Sequence, residues 1–199
     1  MILPIRQYGD PILRAKGEQI SMVDERIRSL AADMLDTMHE ASGVGLAAQQ
    51  VGEALQLTVI DVSAAEERPS TIKVDGKDAH LETSMPLILI NPQATLGAET
   101  TTGTEGCLSF PEITGDIERA HAVIVRAETL EGKAVEIEAT GLLARALQHE
   151  LDHLNGILFI DRMSSAAKVS LSSKLKRLQK ETQRGQERPK LSGAGQSAL

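Results

Sequence analysis

The 199-residue chain reads as an α+β fold. Two observations predict it: short apolar runs of strand length are mixed with amphipathic helical patterns, and strands and helices do not alternate regularly. No internal repeat is visible. In chain order, Ser21-Met-Val-Asp24 reads as a capping box with Asp in the Glu position. Val23, Ile27, Leu30, Met34 and Met38 follow at helical spacing, so a helix is expected from about Asp24 to Glu40, stopping before Gly43-Val-Gly45. Gln56 to Val62 reads as a buried strand. Ala64 to Pro86 is polar and reads as an insertion or hairpin. Leu87 to Pro92 is a strand that the proline stops. Ala122–Ala127 and Ala134–Ala139 form a β-pair turning at Glu131-Gly132. Gly141 to Asn155 is a second helix, with Gly156 as its C′ residue, and Lys168 to Gln183 is a third. The chain thus divides into one domain over residues 1–167, a basic helix over 168–184, and a flexible tail over 185–199.

Composition narrows the class. Apolar residues make up 41% and charged residues 25%, the mix of a globular chain. Aromatics are only 2% (Tyr8, Phe110 and Phe159), so Leu, Ile, Val, Ala and Met must build the core. One cysteine, Cys107, permits no intrachain disulfide, and taken alone it reads as a small buried hydrophobe. No apolar run is long enough to span a bilayer and the N-terminus lacks a signal-peptide pattern, so the cytoplasm is the expected compartment and no membrane partner is expected. The net charge of −7 argues against a DNA-binding protein. It is unevenly spread: Lys168 to Lys190 holds eight basic and two acidic residues, a +6 arm on a body of −13.

His149-Glu-Leu-Asp-His153 lies inside a helical pattern. Positions four apart share one helix face, so both imidazoles can reach one metal ion. Glu150 stands beside them as a general base and then general acid. A third protein ligand is needed. The downstream positions used by metalloproteases do not supply it: Phe159 stands where a third His would be, and no Glu occurs between His153 and Lys180. The ligand should therefore come from upstream. Cys107, in Glu105-Gly-Cys-Leu-Ser109, is the candidate, with Gly106 allowing close backbone approach. Gly43-Val-Gly-Leu-Ala-Ala-Gln-Gln50 loosely fits a dinucleotide fingerprint, but a helix precedes it where a strand is required. It reads instead as a glycine-lined wall for an extended substrate, ending in the Gln50 amide, which could donate to an oxyanion.

Gly43–Gln50, Glu105–Ser109 and Gln148–His153, in this order, resemble the peptide deformylase family, whose pattern is G-x-G-L-A-A-x-Q, E-G-C-L-S and Q-H-E-x-D-H. Tyr8-Gly-Asp-Pro-Ile-Leu-Arg14 is similar to the family's opening segment, and the likeness covers residues 3 to 165. The resemblance implies removal of the N-formyl group from the formylmethionine of nascent polypeptides, with release of formate. It implies that Cys107, His149 and His153 bind one divalent metal, Fe(II) in many members, with Zn, Ni or Co able to substitute. It implies attack of a metal-activated water on the formyl carbon, proton transfer to the leaving amine by Glu150, and oxyanion stabilisation by the Gln50 side chain and the Leu108 backbone N–H. Val44, Gly45, Gly106, Leu142 and Arg145 would line the substrate groove. The implied fold has antiparallel sheets packed around a central helix carrying the His pair, plus a C-terminal helix, which in bacterial relatives docks on the ribosome near the exit tunnel.

Three features depart from the family pattern. Arg145 replaces a common apolar pocket residue; it is expected to pack its stem on the rim with its head in water, or else to narrow the pocket or touch a polar substrate group. Thr114 stands where many bacterial members carry a substrate-contacting Arg. The 64–86 segment is longer than in compact members. Asp152 should face away from the metal and pair with a nearby Arg such as Arg119. A general metalloprotease and a non-catalytic metal or ribosome-associated module are the competing readings.

Overall fold

The computed structural model describes residues 1–65 and 67–187. Helix α1 (Glu25–Glu40) opens the fold. Its N-cap is Asp24, whose carboxylate accepts from the Ile27 N–H at 2.9 Å, so the capping box predicted from Ser21 gives way to a simple Asp cap. Nine strands follow: β1 (Gly45–Ala47), β2 (Leu57–Ile60), β3 (Ser70–Val74), β4 (Lys77–Ala79), β5 (Leu87–Leu96), β6 (Thr100–Gly106), β7 (Thr114–Ala120), β8 (Ala122–Glu128) and β9 (Ala134–Thr140). A short helix α2 (Leu81–Ser84) lies between β4 and β5. The chain ends in α3 (Gly141–Leu154), α4 (Phe159–Arg162) and α5 (Ser165–Glu187).

Seven strands form one antiparallel sheet in the order β1-β2-β5-β8-β9-β3-β4, and β6 and β7 pair as a separate hairpin. The architecture is the α+β arrangement the sequence predicts, with antiparallel strands around α3. That helix touches β1, β2, β3, β5, β7, β8 and β9. The 64–86 segment is a hairpin, β3 against β4, as one of its two readings held. Strand β5 corrects an expectation, because it passes through Pro92 and runs on to Leu96. The register with β8 shifts between Ile90 and Gln93, so the proline, lacking an N–H, sits in the irregularity rather than in the ladder. Asn91 adopts a left-handed φ of 53° there, and its side chain exchanges two hydrogen bonds with the Ile20 backbone.

Three apolar clusters hold these layers. The sheet face packs on Leu142, Leu143 and Leu147 of α3. Met34 and Met38 of α1, fully buried, pack on Leu46, Leu57 and Val59. The third cluster collects all three aromatics of the chain: Tyr8 stacks on Phe110 at 4.9 Å, and Phe110 meets Phe159 edge-on at 5.1 Å. Cys107 packs against this cluster, as do Leu171, Leu175 and Leu178 of α5. That helix begins three residues before its predicted start and extends through Gly185, part of the predicted tail. The rest of that tail, 188–199, lies outside the described residues.

Candidate metal centre

Helix α3 and the β6–β7 hairpin build the site. His149 and His153 are one turn apart on α3, both buried, with ring centroids 5.0 Å apart. Cys107 immediately follows β6. The ligating atoms of Cys107, His149 and His153 lie within 4.8 Å of one another, and Cys107 Sγ is 3.3 Å from His153 Nε2. Atoms bound to one ion at about 2.0–2.3 Å adopt separations of this size. The donor set, one thiolate and two imidazoles, fits a divalent first-row metal.

The two imidazoles differ electrostatically. Burial lowers the His153 pKa well below its ordinary value, and the neighbouring His149 and Arg119 act in the same direction, so His153 is held neutral, the form that could ligate a metal. Burial also disfavours the charged form of His149, but hydrogen bonds to Cys107 and Glu105 more than offset this and raise its pKa well above the ordinary value. His149 donates from Nδ1 to Glu105 Oε2 at 2.9 Å, which leaves Nε2 as the nitrogen that could hold a metal, in competition with a proton.

Glu105 was quoted as a motif residue and given no role in the sequence reading, yet it organises the site. Its buried carboxylate accepts from Arg119 Nε at 2.9 Å, Arg119 Nη2 at 3.0 Å and Arg145 Nη1 at 2.8 Å, besides His149. Burial works to raise its pKa, but His149 and Arg119 overcome this and hold it at about 2. The available signal was its place two residues before a candidate ligand, since ligating histidines usually donate their other N–H to a carboxylate. Asp152 pairs with Arg119 as expected, and also with Arg162. Arg145 differs from its expected solvated state: it is 7% exposed, and its guanidinium donates to Glu105 and to the carbonyls of Thr101 and Ile117.

Glu150 is buried, with Oε2 lacking any protein partner among the described residues. Burial pushes its carboxyl up to about 7. Gly45 on β1 makes room for it: a Cβ there would stand 2.4 Å from Glu150 Oε1. Gln50 Oε1 accepts from the Ala47 N–H at 2.9 Å, which turns its amide nitrogen toward Cys107 Sγ, 3.5 Å away, and Ser109 Oγ, 3.3 Å away.

Cys107, His149, Glu150 and Gln50 share one cavity of about 470 Å³. Val44, Gly45, Gly106, Leu108, Leu142 and Arg145, all predicted groove residues or neighbours of the oxyanion position, line it. Thr114 and Arg68 line it too; Arg68 comes from the longer 64–86 segment and was not anticipated. His153 is the one predicted site residue outside the cavity lining, lying behind Cys107.

The family model described as polypeptide deformylase matches residues 2–169. A peptide deformylase of Opitutus terrae is 46% identical over 184 residues, covering 92% of this chain and 95% of the relative. One from Methylacidiphilum infernorum is 46% identical over 180 residues, covering 90% and 94%. Among solved structures, a plant peptide deformylase superposes with a TM-score of 0.80 at 35% identity, covering 94% of each chain. The Thermus thermophilus enzyme gives 0.77 at 36% identity, covering 91% of this chain and 99% of its own. With a Cys–His–His cluster beside a buried glutamate already on the page, these matches establish that the chain belongs to the polypeptide deformylase family and is a metal-dependent hydrolase.

Proposed function

We propose that this centre removes the N-formyl group from the N-terminal formylmethionine of nascent polypeptides, releasing formate, with Cys107, His149 and His153 holding one divalent ion. The observation that carries the reading is the meeting of three ligand atoms within 4.8 Å of one another, two of them from residues that line the cavity, with a buried glutamate oxygen that has no partner among the described residues. When bound, the metal supplies Lewis acidity, activating water and polarising the formyl carbonyl. Glu150 takes the proton from the attacking water and delivers it to the leaving amine; a carboxyl near 7 suits both steps. The Gln50 amide, oriented by Ala47, donates to the developing oxyanion, and the Leu108 backbone N–H is the second donor.

Strand β1 is an edge of the large sheet and β6 ends at Gly106, so an extended peptide fits between Val44-Gly45 and Gly106. Buried Leu142 forms an apolar wall for the methionine side chain. A formyl group is small enough to enter a site that excludes internal amides. Fe(II) is the resident ion we favour, with Zn, Ni or Co accepted by the same donors.

Helix α5 turns Leu171, Leu175 and Leu178 toward the body and leaves Lys174, Lys176, Arg177, Lys180 and Arg184 exposed. That cationic face suits ribosomal RNA near the exit tunnel, where formylated chains emerge. Residues 1–167 would be the catalytic unit, acting in the cytoplasm beside the ribosome. No helix among the described residues is long and apolar enough to cross a membrane.

The test is formate release from formyl-Met-Ala-Ser set beside cleavage of an unblocked peptide, with metal analysis after anaerobic purification. Formate release without peptide cleavage supports the reading; cleavage of the unblocked peptide would favour a general metalloprotease.

A further inference from the structure

We propose that Arg145 is a positioning residue for the metal centre: it locks the hairpin that delivers Cys107 onto the helix that delivers the histidine pair. The inference rests on the ligand assignment proposed above.

The ligands come from two separately built elements. His149 and His153 ride on α3, which the seven-stranded sheet surrounds. Cys107 follows β6, whose only strand partner among the described residues is β7, so the large sheet does not fix its height against α3. The two elements are joined by polar side chains at positions 145, 148 and 152 of α3. Their spacing of three and four places them along one helix face. Gln148 exchanges two hydrogen bonds with the Ala120 backbone, at 2.9 and 3.0 Å. Asp152 accepts from Arg119. Arg145 contacts both strands: Nη2 donates to Thr101 O on β6 at 2.8 Å, and Nη1 to Ile117 O on β7 at 2.9 Å.

Arg145 thus grips both hairpin strands at once. It also donates to Glu105, two residues before Cys107, and the second oxygen of that carboxylate holds His149. One guanidinium therefore bears on the strand that ends at Cys107 and on the carboxylate that orients His149. Gly103 lets it lie flat, since a Cβ there would sit 3.2 Å from Arg145 Cζ. The planar guanidinium spreads its N–H groups toward acceptors on both strands at once, whereas a lysine ammonium gathers its three donors at one point on a flexible stem. The alternative, a substrate contact by the guanidinium, must compete with acceptors already in place within 2.9 Å.

The experiment compares wild type, Arg145→Met and Arg145→Lys. Co(II) and Zn(II) affinities are measured by competition with a chromophoric chelator. The thiolate-to-cobalt absorption band reports the Cys107 geometry. Thermal unfolding of the chelator-treated protein and kcat and KM for formyl-Met-Ala-Ser complete the set. Partners that orient ligands typically contribute about 10- to 100-fold in metal affinity. Arg145→Met should lose about that much, shift the cobalt band, and lower kcat while KM stays within about twofold. Arg145→Lys should lose about threefold or more. If the methionine variant does not fold, the lysine variant decides.

A lower Tm with unchanged affinity and cobalt band would overturn the proposal in favour of a purely structural role. A raised KM or an altered side-chain preference with unchanged affinity would overturn it in favour of a substrate contact. Wild type separates the two levels of inference: a wild-type protein with no thiolate-to-cobalt band would sink the ligand assignment itself.

Discussion

Replacing Glu105 by Gln should destabilise the protein severely, although the substitution changes the side chain's volume little. The Glu105 carboxylate lies between Arg119 and Arg145, whose side chains are 4% and 8% exposed. Glutamine leaves these buried guanidinium groups without their shared counter-charge, and only Asp152, already shared with Arg162, remains beside Arg119. Removing one member of a buried ion pair typically costs about 3–5 kcal/mol. A second route gives the same order: a carboxyl held at about 2 against an ordinary 4.5 corresponds to about 3 kcal/mol. For a chain of this size the loss would lower Tm by roughly 6–20 °C.

The pH dependence follows from the sign of the shift. The folded-state pKa lies below the unfolded one, so the stabilisation is fully present above about pH 4.5 and disappears as pH falls toward about 2. The assay is urea unfolding of wild type and Glu105→Gln between pH 3 and 8, with chelator present so that metal loss does not inflate the difference. The gap should shrink below about pH 4.5 as Glu105 is protonated, and should also decline as pH rises above about 6.5, where the Glu105–His149 pairing loses the His149 proton. A gap under about 1 kcal/mol at pH 7 that does not change with pH would refute the reasoning.

Further outcomes are expected from other residues. In Gly45→Ala, the new Cβ would stand 2.4 Å from Glu150 Oε1, so the carboxylate must move; kcat should fall on the order of 100-fold with metal content unchanged. Cys107→Ser should weaken Zn(II) binding by at least about 10-fold in chelator competition, because a neutral hydroxyl replaces a thiolate. In wild type, metal affinity should fall as pH drops, since protons compete for the Cys107 thiolate and His149 Nε2; a pH-independent affinity would contradict the ligand assignment. Deleting residues 168–199 should abolish salt-sensitive co-sedimentation with ribosomes. It should also lower Tm, because Leu171, Leu175 and Leu178 leave the aromatic cluster.

The elements and residues that carry a local signal were legible in the sequence. The helical spacing of His149 and His153, the apolar period of α1 and the Glu131-Gly132 turn are all short-range patterns, and the structure contains each of them. The Arg119–Asp152 pair was legible because a regular helix turns Asp152 away from the histidines. The β6–β7 hairpin was not read as strands. Its residues are mostly Thr, Gly and charged, without the apolar alternation that marks a half-buried strand, and helix contacts through Arg145, Gln148 and Asp152 replace an apolar face. Pro92 misled for a related reason: a proline stops a ladder unless a register shift absorbs it, and such shifts have no short-range signature. For Arg145 the solvated-head alternative fails, because its acceptors Ile117 and Thr101 lie 28 and 44 residues away in sequence and leave no local signal, while its place in the cavity lining fits the other alternative.

In the proposed reaction Glu150 moves protons at a metal held by other residues. Glu150→Gln keeps the shape of the side chain and removes its acid–base capacity. Formate release from formyl-Met-Ala-Ser by this variant, measured beside its metal content, tests the claim most directly. The account predicts a loss of at least about 100-fold with one divalent ion per chain retained. Activity within about threefold of wild type, or loss of the metal together with the activity, would contradict it.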